Sequence, residues 1–301
     1  MIYAIMDIGS NTVRLSVYKE HDGKAIELFS EKEQASLRSY VKHGSLNEKG
    51  VERLFTTLRK FKAVCENFDD IDSIHPFATA TIRDVANRSD ILTKVKEELG
   101  LEIDILSGED EARLAFVGAS KSVDVNEGVL TDIGGGSSEV VIIEQGKVIK
   151  STSLSMGSLS AFNDFVPRLF ATKKDKKLID SQIKKLLASN KMYREEHNVL
   201  SAVGGSARAS IKFYNSYYDL SPYNNVMNSK KFNKMIKEVI DKEDRDILDM
   251  ILEVKPDRVH TLLPGMIILN RLAKYFYASE IKISQTGVRE GYVYCKLLGG
   301  K

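Results

Sequence analysis

The chain has 301 residues, with 44 basic and 42 acidic side chains and a net charge of +2. Hydrophobic residues make up 43% and charged residues 29%, which excludes a disordered or fibrous chain and leaves material for two domains. The charge balance announces no nucleic-acid partner, no apolar run reaches the roughly 18 residues of a membrane span, and Cys65 and Cys295 lie outside any metal or redox motif. The opening MIYAIMDIGS reads as a strand and not as a secretory leader, so a cytoplasmic protein is expected, with no membrane and no nucleic-acid partner.

In chain order, an apolar strand from Ile2 to Met6 runs into Asp7-Ile8-Gly9-Ser10-Asn11-Thr12, then a second strand over 13–18 and a turn at Asp22-Gly23. Val51, Leu54, Phe55, Leu58, Phe61 and Val64 form a helical stripe that Ser45 or Asn47 could cap. A strand ending at Phe77 precedes Ala78-Thr79-Ala80-Thr81-Ile82-Arg83-Asp84, and 103–107 leads into a helix over 110–118. A strand over 129–131 then enters Asp132-Ile133-Gly134-Gly135-Gly136-Ser137-Ser138-Glu139. Ile179, Ile183, Leu186 and Leu187 mark another helix, 232–253 one or two more, and 259–276 an apolar one interrupted at Pro264-Gly265.

The chain repeats itself at a shift of 125 residues. Asp7-Ile8-Gly9-Ser10-Asn11 falls on Asp132-Ile133-Gly134-Gly135-Gly136, and 77–83 falls on Ala202-Val203-Gly204-Gly205-Ser206-Ala207-Arg208. A third pair, 103–107 and 281–284, needs a longer shift. Strands alternating with helices make this an α/β chain of two duplicated domains, expected at 1–121 and 122–301, the second with helical insertions. The matching loops are expected to face a cleft between the halves, whose closure would assemble a site.

The loops have a chemistry of their own. Successive glycines let the backbone approach a ligand, and their N–H groups can form an anion-binding concavity. Ser137 and Ser138 add hydroxyls, while Asp132 and Glu139 are oxygen ligands suited to Mg²⁺. A tight hairpin would also use such glycines, but a second cradle at 7–12 favours phosphate binding. Arg83 fits a phosphate oxygen or a surface ion pair with Asp84 or a nearby acid equally well. Glu109, Asp110 and Glu111 either complement a helix dipole or supply a general base, and spacing does not choose among them.

These segments, in this order and together with Ser107-Gly108-Glu109-Asp110-Glu111-Ala112-Arg113 and Gly287-Val288-Arg289-Glu290-Gly291, resemble the exopolyphosphatase/guanosine pentaphosphate phosphohydrolase family. The resemblance implies two ribonuclease-H-like domains of the actin, Hsp70 and sugar-kinase superfamily around an interdomain cleft. It implies Glu111 as the base for an attacking water and Asp132 and Glu139 as metal- and phosphate-site carboxylates. Ser10, Asn11, Arg83, Gly134, Gly135, Gly136, Ser137, Gly205 and Ser206 match positions around the phosphate chain, with Asp7 a further candidate. The expected cofactor is Mg²⁺, and the expected reaction is release of terminal phosphate from inorganic polyphosphate. A guanosine pentaphosphate 5′-phosphohydrolase is the alternative. A non-catalytic sensor of polyphosphate or of an alarmone such as guanosine tetraphosphate is another, and a kinase of the superfamily is more distant.

Longer family members carry a C-terminal HD-type domain; this sequence reads as a short form, which predicts a preference for short or medium chains. Residues 37–46 lack the expected Arg-Leu-Gly-rich pattern. Residues 168–194 hold nine Lys or Arg and two acids. If 173–191 is helical, Lys173, Lys177, Lys184 and Lys191 share one face, either a solvated surface or a track for a polyanion. A homodimer is compatible with the chain's size, although no interface pattern stands out.

Overall fold

The computed structural model describes residues 1–68, 70–193 and 196–299. The chain divides into two compact units, one of Met1–Glu111 with the segment from Tyr292 onward, the other of Ala112–Gly291.

In the first unit β1 (Ile2–Ile8), β2 (Val13–His21) and β3 (Lys24–Glu33) form an antiparallel meander. A short ribbon, β4 (Val41–Lys42) and β5 (Ser45–Leu46), leads to helix α1 (Glu48–Glu66). Strand β6 (Ser73–Ala78) lies parallel to β1, and β7 (Asp104–Ile105) lies parallel to β6, giving the order β3-β2-β1-β6-β7. Helices α2 (Ala80–Asp84) and α3 (Arg88–Leu99) connect β6 to β7. The side chain of Asn47 caps α1 by accepting from the Gly50 amide at 3.0 Å. The apolar stripe of α1 packs Leu54, Phe55, Leu58 and Phe61 into one core with Met6, Ile8, Leu15 and Val17.

The second unit repeats the strand order. Strands β8 (Gly128–Ile133), β9 (Ser138–Glu144) and β10 (Lys147–Leu154) form the meander, and β11 (Val199–Val203) lies parallel to β8. Strand β12 (Val226–Asn228) adds antiparallel to β13 (Glu280–Ile283), for the order β10-β9-β8-β11-β13-β12. Its helices are α4 (Gly108–Ala119, from Ala112 on), α5 (Ser158–Phe165), α6 (Lys173–Ser189), α7 (Gly204–Tyr217), α8 (Ser229–Ile240), α9 (Asp244–Val254), α10 (Leu262–Tyr275) and α11 (Val288–Tyr292). Among the described residues no helix is long and apolar enough to cross a membrane.

The repeat holds residue by residue at the first turn. Asp7 stands opposite Arg14 as Asp132 stands opposite Glu139. The Gly9 amide donates to the Thr12 carbonyl at 3.1 Å, and the Gly134 amide to the Ser137 carbonyl at 3.0 Å. At the second loop the correspondence slips by one residue, because Asp7 pairs with Phe77 but Asp132 pairs with Val203.

Two expectations are corrected. The division does not fall at 121/122. Ala112, Ala115 and Ala119 of α4 pack with Leu130, Val141 and Val203 of the second sheet. Gly118 and Gly291 lie so close to the backbone at Gly287 and Leu114 that a Cβ on either would overlap a carbonyl. Conversely, Tyr292 stacks on Phe77 at 4.9 Å between ring centroids, which holds the end of the chain to the first unit. Pro264-Gly265 does not interrupt a helix, since α10 runs through both. Pro264 sits in the first turn, where an amide would have no partner within the helix.

Candidate active site

In the first unit the turn after β1 carries Ser10 and Asn11, both buried. Thr81 Oγ1 donates to Ser10 Oγ at 2.7 Å, and Ser36 Oγ donates to Asn11 Oδ1 at 3.2 Å. The backbone of 36–38 closes on the same turn, with the Ser36 amide donating to the Asn11 carbonyl at 2.8 Å and the Arg38 amide to the Ser10 carbonyl at 3.0 Å. Asp7 ends β1 beside this turn, opposite Arg14.

Helix α2 brings Arg83 to the start of α4, where its Nη1 donates to Glu111 Oε1 and, at 2.9 Å, to the Leu106 carbonyl. Its Nε donates to Asp84 at 3.1 Å, so the pair with Asp84 exists beside a second one. Burial pulls the Arg83 guanidinium down, but Glu111 and then Asp84 outweigh it, and its pKa is raised. The three acids of α4 separate by position. Glu109 is exposed, Asp110 exchanges caps with Ser107 (Oγ to Oδ2, 2.7 Å), and Glu111 alone of the three is buried, its side chain 7% exposed.

In the second unit the turn at Gly134–Ser137 rests on the start of α5. The Ser158 amide donates to the Gly134 carbonyl, and the Leu159 and Ser160 amides donate to the Gly135 carbonyl, each at 2.9 Å. Ser160 Oγ reaches the Gly136 carbonyl at 3.5 Å. Among the described residues there are no cis peptide bonds. In a trans peptide the N–H lies opposite the C=O. The amides of Gly135, Gly136 and Ser137 therefore point away from α5, three in a row, as an anion nest requires. Gly157 makes this docking possible, since a Cβ there would meet the Gly134 and Gly135 backbone.

Asp132 and Glu139 are cross-strand neighbours, so their side chains share one face of the sheet. Glu139 is buried and accepts from Ser153 Oγ at 2.8 Å. The corresponding pair in the first unit, Asp7 and Arg14, has opposite charges, whereas the second unit sets two carboxylates together, an arrangement that favours a cation. Among the described residues no three or more His, Cys, Asp or Glu side chains group as a metal cage. Two carboxylates fit Mg²⁺, which keeps several waters and takes substrate phosphate oxygens.

Gly205 and Ser206 open α7, and Ser206 Oγ lies 3.3 Å from Ser158 Oγ. Three further residues belong here. Gly204 has φ +83°, and a Cβ on it would overlap Asp132 Oδ1. Arg258 lies over Gly205, where a Cβ would overlap Nη2, and its Nη1 reaches Ser206 Oγ at 3.4 Å. Ser158 joins the turn to α7. Arg258 is far from any motif in sequence, and the signal for it was only its place before the start of α10.

The lysine face is not formed as expected. Lys173, Lys177 and Lys184 are exposed on α6, but the helix ends at Ser189. Lys191 lies beyond it with φ +55°, its carbonyl accepting from Lys150 Nζ, and Lys173 pairs with Asp241 at 2.7 Å. The left-handed backbone at Lys191 breaks the helical periodicity on which the face depended.

The model of the Ppx/GppA phosphatase family matches residues 16–299. The chain belongs to this family. Exopolyphosphatase 1 of Mycobacterium tuberculosis is 32% identical over 166 residues, which is 53% of this chain and 48% of that protein, so the match spans about half the relative's length. A putative exopolyphosphatase of Haemophilus influenzae is 24% identical over 97% of this chain and 90% of its own. The crystal structure of the Aquifex aeolicus family member shares the fold, with a TM-score of 0.80 and 24% identity over 100% of this chain and 99% of that one.

Proposed function

We propose that the protein is an exopolyphosphatase that releases terminal orthophosphate from inorganic polyphosphate with Mg²⁺. The observation that carries this reading is the turn at Gly134–Ser137, whose carbonyls are taken up by α5 while three successive amides face the other way, beside the Asp132–Glu139 pair. Phosphoryl transfer needs positioning and charge stabilisation more than a protein nucleophile. The nest amides bind equatorial phosphate oxygens, and the Arg258 guanidinium adds a charge-assisted contact near Gly205 and Ser206. Asp132 and Glu139 would hold Mg²⁺, which supplies charge neutralisation on the phosphate oxygens when bound.

In the first unit Glu111 accepts the proton of the attacking water. Its side chain is engaged by Arg83. A phosphate oxygen competes for that guanidinium, and its arrival frees a Glu111 oxygen for the water. Thr81 and Ser36 donate to the side-chain oxygens of Ser10 and Asn11, which orients the Ser10 hydroxyl and the Asn11 Nδ2 amide as donors toward a phosphate. The family's resemblance supports Glu111 as the base, and its being the one buried acid of the three at the start of α4 agrees with that role.

The test compares wild type, Glu111→Gln and Arg83→Lys for phosphate release from tripolyphosphate with Mg²⁺. Loss of a general base predicts a fall of about 10²- to 10⁴-fold in kcat for Glu111→Gln. Arg83→Lys, which loses the bidentate fork but keeps the charge, is expected to retain part of the activity with a raised KM. Wild-type kcat in Glu111→Gln would remove Glu111 from the chemistry.

A further inference from the structure

The meander of the second unit sets three polar side chains in one cross-strand row. Asp132 of β8 stands opposite Glu139 of β9, and Glu139 stands opposite Ser153 of β10. Residues in register across a sheet project to one face, so the row places a hydroxyl beside the two carboxylates. Ser153 Oγ donates to Glu139 Oε1 at 2.8 Å. Glu139 is only 2% exposed, and Ser153 is half-buried. From β8 the Thr131 hydroxyl holds the backbone of the same residue, donating to the Glu139 carbonyl at 2.8 Å.

The first unit has the same row with different chemistry. Asp7 of β1 stands opposite Arg14 of β2, and Arg14 stands opposite Lys32 of β3. Where the first unit places a cation, the second places a neutral donor. That difference matters beside a buried acid. A lysine in register with Glu139 would hold it by neutralising it, and a divalent ion would then be attracted less. A serine hydroxyl holds the carboxylate and leaves both negative charges of the row in place. A free glutamate side chain has many rotamers, and fixing its end beforehand lowers the ordering cost of binding. Carboxylates that ligate metals are themselves commonly hydrogen-bonded in this way.

We propose that Ser153 is a positioning residue, which sets the Glu139 carboxylate for a divalent cation without neutralising it. Its role rests on the reading of Asp132 and Glu139 as the Mg²⁺ carboxylates.

The test follows binding of Mn²⁺ to the full chain without substrate, by electron paramagnetic resonance of the free ion. Mn²⁺ shares the oxygen preference of Mg²⁺. Wild type is compared with Ser153→Ala, Ser153→Thr, Glu139→Gln and a control, Ser151→Ala, which removes a hydroxyl two residues along β10 opposite Val141. Loss of the group that holds a metal-site carboxylate predicts a Kd raised about tenfold or more in Ser153→Ala. Ser153→Thr, which keeps the hydroxyl, and Ser151→Ala should match wild type. The Mg²⁺ concentration for half-maximal phosphate release should rise in Ser153→Ala and in neither of those two. A role in packing alone would lower the urea midpoint of Ser153→Ala and leave its Mn²⁺ affinity unchanged, and that result would overturn the proposal. Equal weakening in Ser153→Thr or in Ser151→Ala would also overturn it. If Ser153→Ala does not fold, Ser153→Cys, close in size and a weak donor, carries the comparison. Glu139→Gln separates the two readings. Weakened binding there with wild-type affinity in Ser153→Ala removes Ser153 alone, whereas wild-type affinity in Glu139→Gln removes the metal role of the carboxylate and Ser153 with it.

Discussion

At the residue scale, close approach and charge set what each position tolerates. Gly204 joins a left-handed backbone to contact with Asp132. Gly204→Ala is expected to destabilise the fold by about 1–2 kcal/mol from the backbone alone, read in urea unfolding, with further loss from displacing Asp132. A stability equal to wild type would mean that the contact is not made. Cys65 illustrates the opposite case. It is buried, and desolvation pushes its thiol up to about 11. It is expected to resist iodoacetamide at pH 8 in the native protein and to react fully in urea, with the modified peptide identified by mass spectrometry.

Elements explain what could be read beforehand and what could not. The two meander turns were legible because each needs glycine after an Asp-Ile strand end, and the structure repeats the bond from that glycine's amide to the carbonyl three residues on. Helix α1 was legible from its stripe, and between Ser45 and Asn47 the cap is Asn47. Asn47→Ala should cost about 1 kcal/mol, measurable as a lower urea midpoint with an unchanged slope. Contacts made across long sequence separations were not legible. Nothing local in Arg258 points to Gly205, and nothing in Asn233 points to Lys274. The lysine face failed because a periodicity argument cannot see where a helix stops, and α6 stops before Lys191. Among the three acids of α4 the choice needed the fold, since only burial against Arg83, whose Nη1 also donates to the Leu106 carbonyl, singles out Glu111.

On the scale of the whole molecule, the chain leaves the first unit at Glu111 and re-enters it at Tyr292. This return makes Tyr292 part of the first core, with its ring on Phe77 and its hydroxyl donating to Asp104 at 3.3 Å. Tyr292→Ala is expected to lose about 3–5 kcal/mol of stability, as for other large aromatic truncations, and a change near zero in denaturant unfolding would contradict that assignment. Each unit also carries a histidine held below the ordinary 6.5 by burial, His75 in the first and His260 in the second. The unfolded chain takes up those protons first as pH falls through about 6.5, so their contribution to stability is complete above that pH and is lost below it. The Tm should therefore fall between pH 7.5 and 5.5, and less steeply in His75→Gln. An identical slope would show that His75 does not take part.

The measurement that bears most directly on the central claim is phosphate release by the full chain with Mg²⁺. Tripolyphosphate, long polyphosphate and guanosine pentaphosphate are compared at matched terminal-phosphate concentration. Release from polyphosphate is expected with the highest kcat/KM, short or medium chains favoured, and it is expected to be lost when Mg²⁺ is chelated. A higher kcat/KM for the nucleotide, or binding of polyphosphate with no release, would contradict it.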